Sequence, residues 1–175
     1  MKHFGGKVMF LDRSDINTDE IIPARYLTEP SREALKPYLL EDIQLEGFSP
    51  AADLPGKGAI VPRANFGCGS SREHAAWALE VNGIDLVVAE SFARIFRQNM
   101  FNCGMLAVSL SPEIIDRLFA EIAGTETEVA VDLDAPKFIF SADGKTMLEI
   151  PFVLSRFERD LVEAGGWVNF ADSRY

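Results

Sequence analysis

The stretch Asn65-Phe66-Gly67-Cys68-Gly69-Ser70-Ser71-Arg72-Glu73-His74 gathers the residue types of this chain best suited to chemistry. Gly67 and Gly69 allow the backbone positive φ angles and a close approach to a ligand, and Ser70 and Ser71 set two hydroxyls side by side. Arg72 adds a forked donor suited to gripping a carboxylate in two places. A helical pattern begins near Arg72, and its N-terminus would aim unpaired N–H groups and the positive end of its dipole at the same spot. The chemistry this predicts is binding of a small anion beside two hydroxyls. A second reading of the same spacing stays open. Ser70-Ser71-Arg72-Glu73 also satisfies the capping-box pattern, with Ser70 at the N-cap and Glu73 three residues later, and a capped helix after a glycine turn needs no ligand. On spacing alone the capped helix is the preferred reading. The third glycine of GxGxxG is missing, no Gly-Lys-Ser/Thr follows, and Gly69-Ser70-Ser71 is not GxSxG, so the nucleotide-binding and hydrolase fingerprints do not apply.

Other reactive side chains carry less. Cys68 and Cys103 are the only cysteines and lie 35 positions apart, without a CxxC pair, so the chain by itself has no donor set for a cluster or a structural zinc. Cys68 reads as a small thiol packed in a turn and Cys103 as helix-end packing. His74 reads as a hydrogen-bonded structural histidine or a proton shuttle, and Arg94 and Arg97 as solvated helix charges or as contacts to an acid or a partner.

The elements that must position these groups are short. Residues 8–12 form an apolar run fit for a buried strand, followed by a polar loop through 13–19. From 26 to 55 four prolines punctuate a segment of poor periodicity, which predicts a functional loop with one short helix near 31–40. Residues 58–62, 85–89 and 105–110 read as strands and 72–81 and 92–102 as helices between them, the alternation of a parallel sheet with crossover helices. Ser111 and Pro112 open a further helix running to Gly124. Residues 127–133, 137–141 and 146–153 read as strands, the last two joined by a hairpin at Asp143-Gly144. Residues 155–164 predict a final helix closed by Gly165-Gly166. The fold class is therefore α/β, one domain over 1–175, with a parallel sheet and a second, antiparallel set of strands.

Composition bounds the partners. The 175 residues are 47% hydrophobic, enough for a buried core, and a net charge of −10 with no basic run argues against nucleic acid. That bulk charge also repels an acidic substrate, so a dicarboxylate must be held by a few local arginines or helix ends. Residues 1–7 lack the apolar core of a signal peptide and no stretch approaches the ~20 apolar residues of a membrane span, which predicts a cytoplasmic chain with free thiols.

Taken whole, residues 69–74 resemble the Gly-Ser-Ser-Arg-Glu-His signature of swivelling domains in the aconitase superfamily, and residues 65–69 resemble the version found in isopropylmalate isomerase small subunits. Two further stretches agree in order. Asn17-Thr18-Asp19-Glu20-Ile21-Ile22-Pro23 is similar to the family's early Thr-Asp loop, and Ser91-Phe92-Ala93-Arg94-Ile95-Phe96 to its later Ser-Phe-Ala helix start. The resemblance covers about the first two thirds of the chain.

The resemblance implies an aconitase-type swivelling β/β/α domain and a hydro-lyase that is active only with a large subunit, in a heterodimer or heterotetramer. That large subunit would carry a [4Fe-4S] cluster, one iron of which polarises the departing hydroxyl as a Lewis acid, while this chain holds no metal. By match to the motif, Ser70 is the catalytic base, Ser71 and Arg72 hold a substrate carboxylate, and Asp19 supports them. Thr28 stands near the point where tricarboxylate-using members place an arginine, which favours 2- and 3-isopropylmalate, interconverted through isopropylmaleate in leucine biosynthesis. Arg25 and Arg32 lie close to it in sequence. Homoaconitate, dimethylmalate and methylmalate or citraconate hydration remain alternatives, as does a non-catalytic small-anion-binding subunit.

Overall fold

Leu86–Ala89 is buried at every position, the pattern of a strand covered on both faces. It is the second strand from the edge in a seven-stranded sheet of order β4-β3-β2-β1-β5-β6-β7. The strands are β1 (Gly5–Phe10), β2 (Lys57–Val61), β3 (Leu86–Ala89), β4 (Leu106–Ser109), β5 (Thr127–Asp132), β6 (Lys137–Ala142) and β7 (Lys145–Pro151). The computed structural model describes residues 1–175 apart from the side chain of Met147.

β1 joins the two halves. It runs parallel to β2, with Val8 opposite Ala59 and Phe10 opposite Val61, and antiparallel to β5, with Gly6 opposite Val129. The parallel strands and the second, antiparallel set are both present, as expected, and share one sheet across β1. Their side chains alternate as a sheet half-covered by the core requires, with Phe138, Phe140 and Ala142 turned inward along β6. Asp143 and Gly144, both at positive φ, close the β6–β7 hairpin.

Helices α3 (Glu73–Val81) and α4 (Arg94–Asn102) cross from β2 to β3 and from β3 to β4, and α5 (Pro112–Glu121) leads back toward β5. Ser111 caps α5 as its sequence predicts, accepting from the Ile114 N–H at 3.3 Å. Helix α6 (Arg156–Ala164) opens with a full capping box between Ser155 and Glu158. Arg97 of α4 reaches Glu158 at 2.5 Å and ties the two helices together. Burial pushes the Glu158 carboxyl up, but Arg97 and the Ser155 N–H outweigh it and hold the group below the usual carboxylate range.

Three expectations need correction. The chain does not end in α6, because α7 (Trp167–Arg174) follows the Gly165-Gly166 turn. The polar segment after β1 is not all loop: Asn17 caps a one-turn helix α1 (Thr18–Ile21) with a capping box to Glu20. The helix near 31–40 is a 3-10 helix, Glu33–Tyr38, with Pro37 inside it; a second 3-10 turn, Ala24–Tyr26, and a short α2 (Pro50–Asp53) complete the region. Pro37 has no N–H to extend a longer helix, and the segment stays at single turns such as the Leu35 N–H to the Arg32 carbonyl at 3.0 Å. Among the described residues no helix is long and apolar enough to cross a membrane.

Candidate active site

The loops that leave the carboxyl ends of β1, β2 and β3 are zipped together, which puts their polar residues in one place. The β2–α3 loop runs in the middle. Its Gly67 N–H donates to the Ile16 carbonyl at 2.8 Å and its Cys68 carbonyl accepts from the Thr18 N–H at 2.8 Å. On the other side Phe66 donates to the Ser91 carbonyl at 3.1 Å and accepts from the Ala93 N–H at 3.0 Å. The three stretches resembling family motifs are therefore neighbours in space.

Gly67 has φ +82°, and a Cβ there would lie 2.2 Å from the ring of Phe96, so no larger residue fits. Gly69 has φ +97° but open surroundings, its nearest would-be contacts being Asn17 and Thr18 at 3.5 Å. The backbone is thereby turned so that Ser70 and Ser71 stand exposed at the head of α3.

Thr18 is 1% exposed, and its hydroxyl donates to the Ser70 carbonyl at 2.8 Å. Its oxygen also lies 3.4 Å from the Ser70 Oγ, close enough for that hydroxyl to share a proton with it. Arg72 donates from Nη1 to the Asp19 carboxylate at 2.8 Å, and the same carboxylate oxygen accepts from the Ala24 N–H at 3.1 Å. Arg72 first, and the Ala24 N–H second, hold the Asp19 carboxyl below its usual range.

The predicted capping box at Ser70 and Glu73 does not form. The N-cap of α3 is Arg72, whose side chain makes no cap hydrogen bond, so Ser70 sits two positions too early to serve. The first turn of α3 is left without a side-chain cap, its N–H groups available to an anion beside Ser70 and Ser71. Helix α4 likewise starts at Ala93 without a side-chain cap. A cleft of about 440 Å³ lies between Gly67, Ser70 and Ser71 on one side and Arg94, Ile95 and Phe96 on the other. A larger cavity, about 920 Å³, lies by Pro37, Pro50 and Leu54, but no arginine lines it.

The structure pairs Arg72 with Asp19 and Ser70 with Thr18, and puts Ser71 in the same cleft as Ser70, whose lining includes neither Arg72 nor Asp19. Thr28 is exposed in the turn after Ala24–Tyr26, and no hydrogen bond among the described residues ties it to them. Arg25 is held by Asp42 at 2.7 Å and Glu41 at 3.1 Å, and Arg32 by Glu80 at 3.0 Å while its guanidinium lies over Trp77. Both are engaged away from Thr28. Arg97 is taken by Glu158, whereas Arg94 has no carboxylate partner among the described residues. His74 packs on Trp77, with ring centroids 4.6 Å apart.

The residue that sequence reasoning undervalued is Thr18. Its signal is a hydroxyl directly after a capping-box asparagine: the cap fixes the backbone and turns the next side chain inward. As for metal, Cys68 and Cys103 sit on different elements, and burial raises both thiols, Cys103 to about 11. Among the described residues no three His, Cys, Asp or Glu side chains converge. This donor set does not fit an iron–sulfur cluster.

Comparison with known proteins agrees with this geometry. Residues 53–113, which contain the Gly67–His74 loop, match the family model of the aconitase C-terminal domain. Over 164 residues the chain is 38% identical to a 3-isopropylmalate dehydratase small subunit of Deinococcus deserti, covering 94% of this chain and 84% of that one. It is 39% identical to the protein of that name from Thermodesulfovibrio yellowstonii, over 91% of this chain and 89% of its relative. The crystal structure of a 3-isopropylmalate dehydratase from Methanocaldococcus jannaschii superposes with a TM-score of 0.77 at 33% identity, covering 99% of this chain and 95% of that chain.

Proposed function

The chain belongs to the family of 3-isopropylmalate dehydratase small subunits, and on that premise we propose that it is the small subunit of a hydro-lyase interconverting 2- and 3-isopropylmalate through isopropylmaleate. The single observation that carries the site assignment is the exposed Ser70 hydroxyl at the head of an uncapped helix, backed by Thr18 and flanked by the Arg72–Asp19 pair.

A serine hydroxyl is a poor base until it is ionised, and ionisation needs surroundings that favour negative charge. The N–H groups of the first turn of α3, the Thr18 hydroxyl and the Arg72 guanidinium supply them. Ser70, ionised, takes the proton from a substrate carbon; the electron pair left there forms the double bond, and the hydroxyl on the neighbouring carbon leaves with its bonding pair. The large subunit's cluster, when bound, would supply the Lewis acidity that accepts this leaving group. Return of water with the opposite regiochemistry completes the isomerisation. Ser71 and Arg72 hold a substrate carboxylate, Asp19 keeps Arg72 in place, and Thr28 belongs to the loop that meets the substrate's side group. The [4Fe-4S] cluster belongs to the large subunit in this reading, since the donor set of this chain does not fit one. The whole of residues 1–175 acts as one swivelling unit against that partner.

The test is dehydratase activity, followed by the ultraviolet absorbance of the unsaturated acid, for this chain alone and for the chain co-purified anaerobically with an iron–sulfur large subunit from the same source. Isopropylmalate, homocitrate, dimethylmalate and citramalate are offered in parallel. Activity is expected only in the pair and on isopropylmalate. Preference for another acid would move the substrate assignment, and a stable pair inactive on all four would overturn the enzymatic reading in favour of an anion-binding subunit.

A further inference from the structure

We infer that Arg94 and Ile95, the first turn of α4, form the seat on which the large subunit closes over the cleft; this rests on the function proposed above. Ser70 is exposed, and for a second chain to bring its share of the site to that hydroxyl it must cover the cleft's open rim. The wall opposite Ser70 and Ser71 is the start of α4, with Arg94, Ile95 and Phe96. Phe96 faces the core at 2% exposure, whereas Ile95 is 56% exposed although it lines the cleft. A lone exposed isoleucine needs no explanation by itself. Its position does, because an apolar side chain on the open rim of the cleft that holds Ser70 and Ser71 is stabilised only when something covers it.

Charge gives the second observation. Nine of the eleven arginines sit beside a carboxylate, in a chain of net charge −10; only Arg94 and Arg156 lack one among the described residues. Of those two only Arg94 lines the cleft. An unpaired arginine next to an exposed apolar side chain is the composition of an interface anchor, and it asks for a carboxylate beside an apolar surface on the partner. None of the other exposed apolar side chains, Met1, Val153, Phe157, Trp167, Val168 and Tyr175, lines the cleft, and the rings of Phe157 and Trp167 pack on each other and on Phe170.

The experiment measures the affinity of this chain for the iron–sulfur large subunit from the same source by titration calorimetry, and isopropylmalate turnover at rising large-subunit concentration. Wild type is compared with Arg94→Glu, Ile95→Asp, the double variant and Val168→Asp, with the milder Arg94→Gln and Ile95→Ala in reserve should a charged variant fail to fold. The double variant should bind about thirtyfold more weakly, the loss expected for an interface anchor. The loss of affinity should be present without substrate, which separates a seat for the partner from a contact to the substrate. Val168→Asp should leave affinity unchanged. Unaltered affinity in the Arg94 and Ile95 variants, or affinity lost through Val168→Asp instead, would overturn the seat. Lower turnover at saturation with unaltered affinity would also overturn it and move Arg94 to substrate contact. A wild-type chain that binds no large subunit would overturn the function on which the seat rests.

Discussion

The Thr18 hydroxyl donates to the Ser70 carbonyl oxygen at 2.8 Å while its oxygen stands 3.4 Å from the Ser70 Oγ. One buried side chain thus fixes the backbone of the serine and sits behind its reactive atom. With the proton of Thr18 spent on the carbonyl, the resting Ser70 hydroxyl can donate to Thr18. When Ser70 loses its proton, the Thr18 hydroxyl can turn toward the resulting oxyanion.

Thr18→Val keeps the shape and removes both interactions. It should destabilise the chain by roughly 0.5–1.5 kcal/mol, the net worth of a hydrogen bond to the carbonyl of an exposed residue, and lower turnover more than substrate affinity. Thr18→Ser should restore most of both. Urea unfolding and steady-state kinetics of the assembled pair check this, and a valine variant with normal turnover would remove Thr18 from the account.

The Arg72–Asp19 pair is checked by pH. A carboxyl held below its usual range stabilises the folded state above the ordinary carboxylate pKa and loses that contribution as pH falls through the lowered value. A carboxyl-carbon NMR titration should therefore place Asp19 below the usual range, and Arg72→Met should move it upward. Part of the shift should survive, because the Ala24 N–H still donates to the same oxygen. Arg72→Lys should raise the Michaelis constant about tenfold with a smaller effect on turnover, since the forked donor is lost. An Asp19 midpoint indifferent to Arg72 would contradict the pairing.

Gly67 and Gly69 separate steric from conformational cost. Gly67→Ala meets the Phe96 ring and a positive φ together and should lose about 3 kcal/mol or more in unfolding free energy. Gly69→Ala meets only the positive φ and should lose about 1–2 kcal/mol. Equal losses in denaturant unfolding would mean that contact with Phe96 does not limit the loop.

The parallel half of the fold is legible in the sequence because short apolar runs alternate with helical periods there: the bounds of β2, β3, β4, α3 and α4 agree to within one or two residues, whereas β1 starts and α5 ends three residues earlier than expected. The hairpin at Asp143-Gly144 and the cap at Ser111 are legible for the same reason: each depends on neighbours in sequence. What is not legible depends on distant partners. That β1 bonds on one edge to β2, with Lys7 opposite Lys57, and on the other to β5, more than a hundred residues away with Gly6 opposite Val129, is announced by nothing in residues 5–10. Helix α7 is hidden because Gly165-Gly166 reads as a stop, and its partial burial comes from packing on α6 and α4. In the site, Ser70, Arg72 and Asp19 are marked by motif resemblance, whereas Thr18 shows its part only in three dimensions. The Ser70–Glu73 capping pattern misleads because Arg72 is still extended, at φ −110° and ψ 113°, so the N-cap falls two residues later than the pattern implies.

The most direct test of the central claim is the turnover of Ser70→Ala assembled with its iron–sulfur large subunit. The account predicts that the variant folds, binds the large subunit with wild-type affinity and loses isopropylmalate isomerisation by at least about a thousandfold, as removal of a reaction's base requires. A Ser70→Ala pair that turns over within a few fold of wild type would contradict it, and with it the assignment of Ser70 as the base.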